Sequence, residues 1–105
     1  MSETAMNDIT GGVESVSIVA TAAASKYLQQ LCKHFSHKRP TTFDAQSGHI
    51  AFDDGDCYLE AAAGQLLMTV TAPDEARNEV LRGVIDRHLQ RFAFREELAV
   101  DWRVV

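Results

Sequence analysis

No apolar run in this chain approaches the roughly 18 residues that a helix needs to cross a bilayer. The opening stretch, MSETAMNDITGGVES, has neither a basic n-region nor an apolar h-region, so it does not read as a secretory signal and a cytoplasmic chain is expected. Cysteine is scarce. Cys32 and Cys57 stand far apart and form no C-x-x-C pair, which removes any local signature of zinc or thioredoxin-like chemistry and leaves reduced, buried thiols as the reading. There is no G-x-S-x-G, no glycine-rich phosphate loop and no H-E-x-x-H, so nucleophilic catalysis and a zincin-type centre have no motif to stand on. The acidic turn Asp53-Asp54-Gly55-Asp56 lacks the ligand spacing of a calcium loop.

What is present is an ordinary globular balance, 46% hydrophobic and 24% charged, in 105 residues. That is one domain, able to bury roughly 65% of its unfolded surface without disulfide or metal. The net charge of −5 argues against wholesale attraction to nucleic acid or to an anionic membrane. It is unevenly spread, with −3 over residues 1–21, +4 over 22–39, −5 over 40–72 and −1 over 73–105.

The chain is organised around Pro73–Leu98, read as one long amphipathic helix and its exit. Val80, Leu81, Val84, Ile85, Leu89 and Phe92 recur at helical spacing and place His88 in the middle of the stripe. Pro73 suits the first helical position, and Asp74 and Glu75 suit the positive end of the dipole. Residues 1–12 show no period and are expected to be a mobile tail ahead of a single domain, 13–105. From Val13 the pattern alternates, with Val16, Ile18 and Ala20 on one side of a strand and Ser15, Ser17 and Val19 on the other. Thr21 is placed to cap a helix over 22–37 that carries Ala24, Tyr27, Leu28, Leu31, Cys32 and Phe35 on one stripe, and Pro40 closes it. Residues 41–72 have period two and read as a meander of up to four strands: 42–46, a turn at Ser47-Gly48, 49–52, 57–62 and 66–71. Leu98, Val100, Trp102 and Val104 alternate as a final strand.

The order β-α-β-β-β-β-α-β describes an α+β fold, a mostly antiparallel sheet with two helices packed on one face. By element order it resembles the TATA-binding-protein-like layout, which carries no function with it. A closer resemblance lies in YLQQLCKHFSHK (Tyr27–Lys38) and HLQRFAFREEL (His88–Leu98), with G-x-I-x-F from Gly48 and G-x-C-x-L from Gly55 between them. Together, from about Ser17 to Arg103, they resemble the bacterial domain-of-unknown-function family 2218. That family has no established activity. The resemblance implies a small bacterial protein sometimes encoded beside siderophore-uptake or siderophore-interacting proteins, a pointer towards iron.

Three candidate sites follow. Lys33, His37, Lys38 and Arg39 concentrate cations at one helix end, where they complement the dipole and can also hold a small anionic ligand or an acidic partner surface. His34, His37 and His88 could hold iron or zinc, with His49 or Glu96 to complete the set. The run His88, Arg91, Phe92, Phe94, Arg95, Glu96 and Glu97 reads as a structural motif: the two phenylalanines cannot face one core from a regular helix, so the helix breaks there or one ring is exposed. A buried His88 would need a hydrogen-bond partner, because an unpaired buried ring costs on the order of 1–3 kcal/mol. The leading expectation is a non-catalytic binding or interaction module, accessory to iron–siderophore metabolism, using the open sheet face or the basic helix end. A metal-binding protein or small metalloenzyme using His34, His37 and His88, and a homodimer joined through the sheet's outer face, are the alternatives.

Overall fold

The computed structural model describes residues 12–105, and the expected tail at 1–11 lies outside them. Strand β1 (Val13–Ala20) leads into helix α1 (Ala24–Ser36). Strands β2 (Thr41–Phe43), β3 (Ser47–Phe52), β4 (Gly55–Ala62) and β5 (Gln65–Ala72) form the meander. Helix α2 (Glu75–Phe92) and a short β6 (Arg103–Val104) complete the chain. The six strands form one antiparallel sheet in the order β2-β3-β4-β5-β1-β6. Both helices lie on the same face, as the element order implies.

Alternation decides which side chains meet the helices. Leu66, Met68 and Val70 of β5, Cys57 and Leu59 of β4, and Ile50 of β3 are buried beneath Leu28, Leu31 and Cys32 of α1 and Leu81, Ile85 and Leu89 of α2. On β1 the inward side is the more polar one: Ser15, Ser17 and Val19 are buried, while Ile18 is 60% exposed. A hydrophobicity reading of β1 alone would favour the opposite face. At Ser15 the inward polar side is matched by Asn78 of α2, fully buried in the helix stripe. Its Nδ2 donates to the carbonyls of Val13 (2.9 Å) and Val70 (3.0 Å), and its Oδ1 accepts from Ser15 Oγ (2.7 Å). Three satisfied bonds allow a buried amide to pin α2 across β1 and β5.

The glycines of the two G-x-φ-x-φ stretches serve close approach. A Cβ on Gly48 would stand 2.6 Å from Cys32 Sγ and 3.2 Å from Phe43 Cβ, so its absence lets α1 settle on β3. A Cβ on Gly55 would stand 2.1 Å from the carbonyl oxygen of Thr71.

Several boundaries depart from the sequence reading. The N-cap of α1 is Ala23, without a side-chain cap, and Thr21 Oγ1 instead accepts from Ala23 N at 3.1 Å in a tight turn. Ser47-Gly48 opens β3, and the turn before it is built on Asp44, whose Oδ1 accepts from the amides of Gln46 and Ser47 at 2.8 Å. α2 starts at Glu75, so Pro73 precedes it rather than opening it; Asp74 is its N-cap, accepting from Arg77 N at 2.8 Å, and the helix ends at Phe92. Its buried stripe is Asn78, Leu81, Ile85 and Leu89, which leaves Val80 exposed and His88 on the flank. The alternating tail from Leu98 pairs with β1 only at Arg103 and Val104, although Leu98 is buried and Val100 and Trp102 pack on the core.

Candidate functional site

The two helices converge at their C-terminal ends, and the flank position of His88 puts it there. Its ring centroid lies 4.7 Å from that of His34 and 4.8 Å from that of Phe35. Phe92 approaches His34 edge-on at 5.8 Å, and Phe52 at the end of β3 meets Phe35 at 5.0 Å. Two imidazoles and three phenyl rings thus close the seam between α1, α2 and the sheet. His88 is half-buried, with Nδ1 2.7 Å from the carbonyl of Val84. A carbonyl can only accept, so Nδ1 carries the hydrogen of that bond and Nε2 is left free. The partner the sequence demanded for His88 is therefore a backbone oxygen one turn back.

The charges that act on His34 are of one sign. Partial desolvation pushes the His34 imidazole below its ordinary 6.5, and His88, Arg91, His37 and Lys38 push it the same way. Among the described residues none of His34, His37, Lys38, His88 and Arg91 makes an ion pair with a carboxylate. Of the four residues singled out as an anion site, His37 and Lys38 join this cluster. Arg39 turns away to Asp53 at 3.5 Å. Lys33 is exposed and is not among the groups acting on His34. Arg91 was assigned to the structural motif, and the sequence could not show that its helix ends beside the other one.

The metal set is only two-thirds assembled. His34 and His88 meet, but among the described residues no group of three or more His, Cys, Asp or Glu side chains could hold an ion. The side chains nominated to complete it are engaged elsewhere. His49 stacks on Tyr58 (4.6 Å, 6°) and bonds Asp56 (2.9 Å), both on the far face of the sheet. Glu96 accepts from Tyr27 Oη and from Thr21 Oγ1 (3.2 Å).

That last contact shows what RFAFREEL does. The helix breaks after Phe92, Ala93 is buried, Phe94 is 75% exposed, and the Arg95 guanidinium lies 5.3 Å over its ring. Glu96 then ties the exit to the first turn of α1 by hydrogen bonds rather than by an ion pair, and Glu97 is exposed. The Glu96 hydrogen bond, with burial and the nearby negative charge, raises the Tyr27 phenol above its ordinary 10.0. In the sequence Tyr27 is one member of an apolar stripe and Thr21 a helix cap, so neither signals this contact with Glu96.

Among the described residues, the serine and cysteines of this region are not activated. Ser36 Oγ donates to the carbonyl of Lys33 at 2.8 Å, and burial pushes the Cys32 thiol up to about 11 and that of Cys57 higher still.

Fold and seam together define a small α+β domain with a cation-rich cluster of rings where its two helices end. The chain belongs to the bacterial family described as "Uncharacterized protein conserved in bacteria (DUF2218)", matched over residues 16–103, a span that contains both long motifs. An NMR structure of PA4090 from Pseudomonas aeruginosa is similar at 36% sequence identity and a TM-score of 0.74, covering 87% of this chain and 95% of that one. No curated protein matches. No helix among the described residues is long and apolar enough to cross a membrane.

Proposed function

We propose that the protein is a non-catalytic binding module whose ligand is a small anion, a phosphate or carboxylate, held at the joined helix ends by Lys38, Arg91, His37 and the His34–His88 pair. The observation behind this reading is five nitrogen-bearing side chains drawn together at the ends of two helices, with no carboxylate among the described residues paired to any of them. Helix C-termini offset part of such a charge through their carbonyl ends, by about 0.3–1 kcal/mol per cation. That compensation accounts for a lysine or arginine in a last turn. It does not account for two imidazoles packed against each other in the same place, where protonation of one opposes protonation of the other. A bound anion would relieve that opposition, with the arginine supplying charge-assisted hydrogen bonds.

The test is a titration of untagged protein with inorganic phosphate near pH 6.5, followed by NMR at the histidine rings. Saturable shifts at His34 and His88 are expected, with affinity about tenfold weaker in Arg91→Gln, the weight of one charge-assisted hydrogen bond. Lys26→Gln, on the exposed side of α1, should bind as the parent does. Shifts that fail to saturate, or that are the same in Arg91→Gln, would remove the reading.

A further inference from the structure

The opposite side of the sheet has the reverse character. Register places His49, Tyr58, Thr69, Val16 and Arg103 along one rung, and Ser47, Glu60, Leu67 and Ile18 along the next. Asp56, Thr71 and Glu14 form a third. Alternation turns all of these away from the helices, and no described element covers them. The centre is apolar: Ile18 is 60% and Tyr58 44% exposed, and Leu67 lies between their strands. A groove of about 560 Å³ continues this surface past Val16 and Ile18 to Asp101, Arg103 and Val105. The rim is acidic, with Glu14, Asp56, Glu60 and Asp101 set against Arg103 and against His49, which bonds Asp56, and residues 40–72 contain no lysine or arginine.

From this arrangement we infer that the uncovered sheet face docks a polypeptide partner that is apolar at its centre and cationic at its edges. Two arguments select that occupant. Exposed β-branched and aromatic side chains in mid-sheet favour an apolar cover, and Tyr58, with Glu60 beside it, offers a lysine or arginine both a ring face and a carboxylate. A second copy fits badly, since apposing two such faces sets four carboxylates against four with one guanidinium on each side. Three strands of eight residues, flanked by shorter ones of six, three and two, at a rise of about 3.3 Å and about 4.8 Å apart give roughly 550 Å² per side, which places the complex among weak, transient interfaces.

The probe is a synthetic peptide of alternating valine and lysine, with valine–glutamate as control, titrated into isotopically labelled protein whose oligomeric state is first fixed by sedimentation. A monomer is expected. The basic peptide should shift Val16, Ile18, Tyr58 and Leu67 saturably and leave Val80, on the outward side of α2, unmoved. Binding should weaken several-fold on raising salt from 50 to 300 mM and about tenfold in the double variant Glu60→Gln/Asp101→Asn, whose exposed positions leave the fold intact. Equal binding of the acidic peptide, shifts confined to other surfaces, no binding at all, or a dimer broken by Ile18→Ser would each overturn the inference.

Discussion

His34 is the residue at which the chemistry of the helix ends can be read most directly. Although His34 is exposed, partial desolvation of its ring, and then His88, Arg91, His37 and Lys38, make it harder to protonate in the folded chain than in the unfolded one. The stability that depends on its neutral ring is therefore whole above about pH 6.5 and is lost as pH falls below that value towards the depressed folded pKa. Urea midpoints measured from pH 7.5 to 5 should fall more steeply for the parent than for His34→Gln, and parallel curves would show that the ring is not under this pressure. Phosphate at the seam should flatten the parent's curve. Not every residue of this kind can be found from sequence. His34 and His88 announce themselves as histidines on or beside apolar stripes. Asn78 does not, because a periodicity argument counts it as a gap in the stripe, and its three bonds exist only once α2 crosses β1 and β5.

At the scale of the element, the helices and the central strands were legible because their periods are long and unbroken. Leu66, Met68, Val70 and Ala72 fall on one side of residues 65–72, with Leu67 the one large apolar residue on the other, and α1 presents Tyr27, Leu28, Leu31 and Cys32 at helical spacing. Their ends were harder to place, since caps and turns depend on one or two hydrogen bonds. Thr21 has the chemistry of a cap but spends its hydroxyl on the Ala23 amide and Glu96, and the tail from Leu98 has the alternation of a strand but pairs over two residues only. How α1 sits on the sheet is set by an absence at Gly48. Gly48→Ala should destabilise by about 1–3 kcal/mol, since its methyl would meet Cys32 Sγ and the packed interior can yield only by shifting the helix. Cys32→Ala, which removes that sulfur at the expense of a small cavity, should restore part of the loss. In urea titrations the double variant should therefore be more stable than the sum of the single effects predicts. Additive losses would mean that α1 is not held at this distance by the Gly48–Cys32 contact.

Across the whole molecule, charge is sorted by face. Residues 22–39 contribute four cations and no acid, residues 40–72 five acids and no lysine or arginine, and the fold sends the first group to the helix side and most of the second to the sheet face and its turns. The two proposed surfaces are separated by the buried layer of Leu59, Met68, Leu81 and Ile85, which has no charged member to relay a change from one side to the other. Sites that share no side chain and are divided by a packed apolar core should behave additively. Arg91→Gln should weaken phosphate binding about tenfold and leave the valine–lysine titration unchanged, while Glu60→Gln/Asp101→Asn should do the reverse. With both ligands present, each affinity should stay within about twofold of its value alone, a coupling under roughly 0.5 kcal/mol. A larger coupling, measured by repeating the phosphate titration at saturating peptide, would mean that the helices move on the sheet when one face is occupied, and the domain would then be a transmitter between two ligands rather than a rigid scaffold for both.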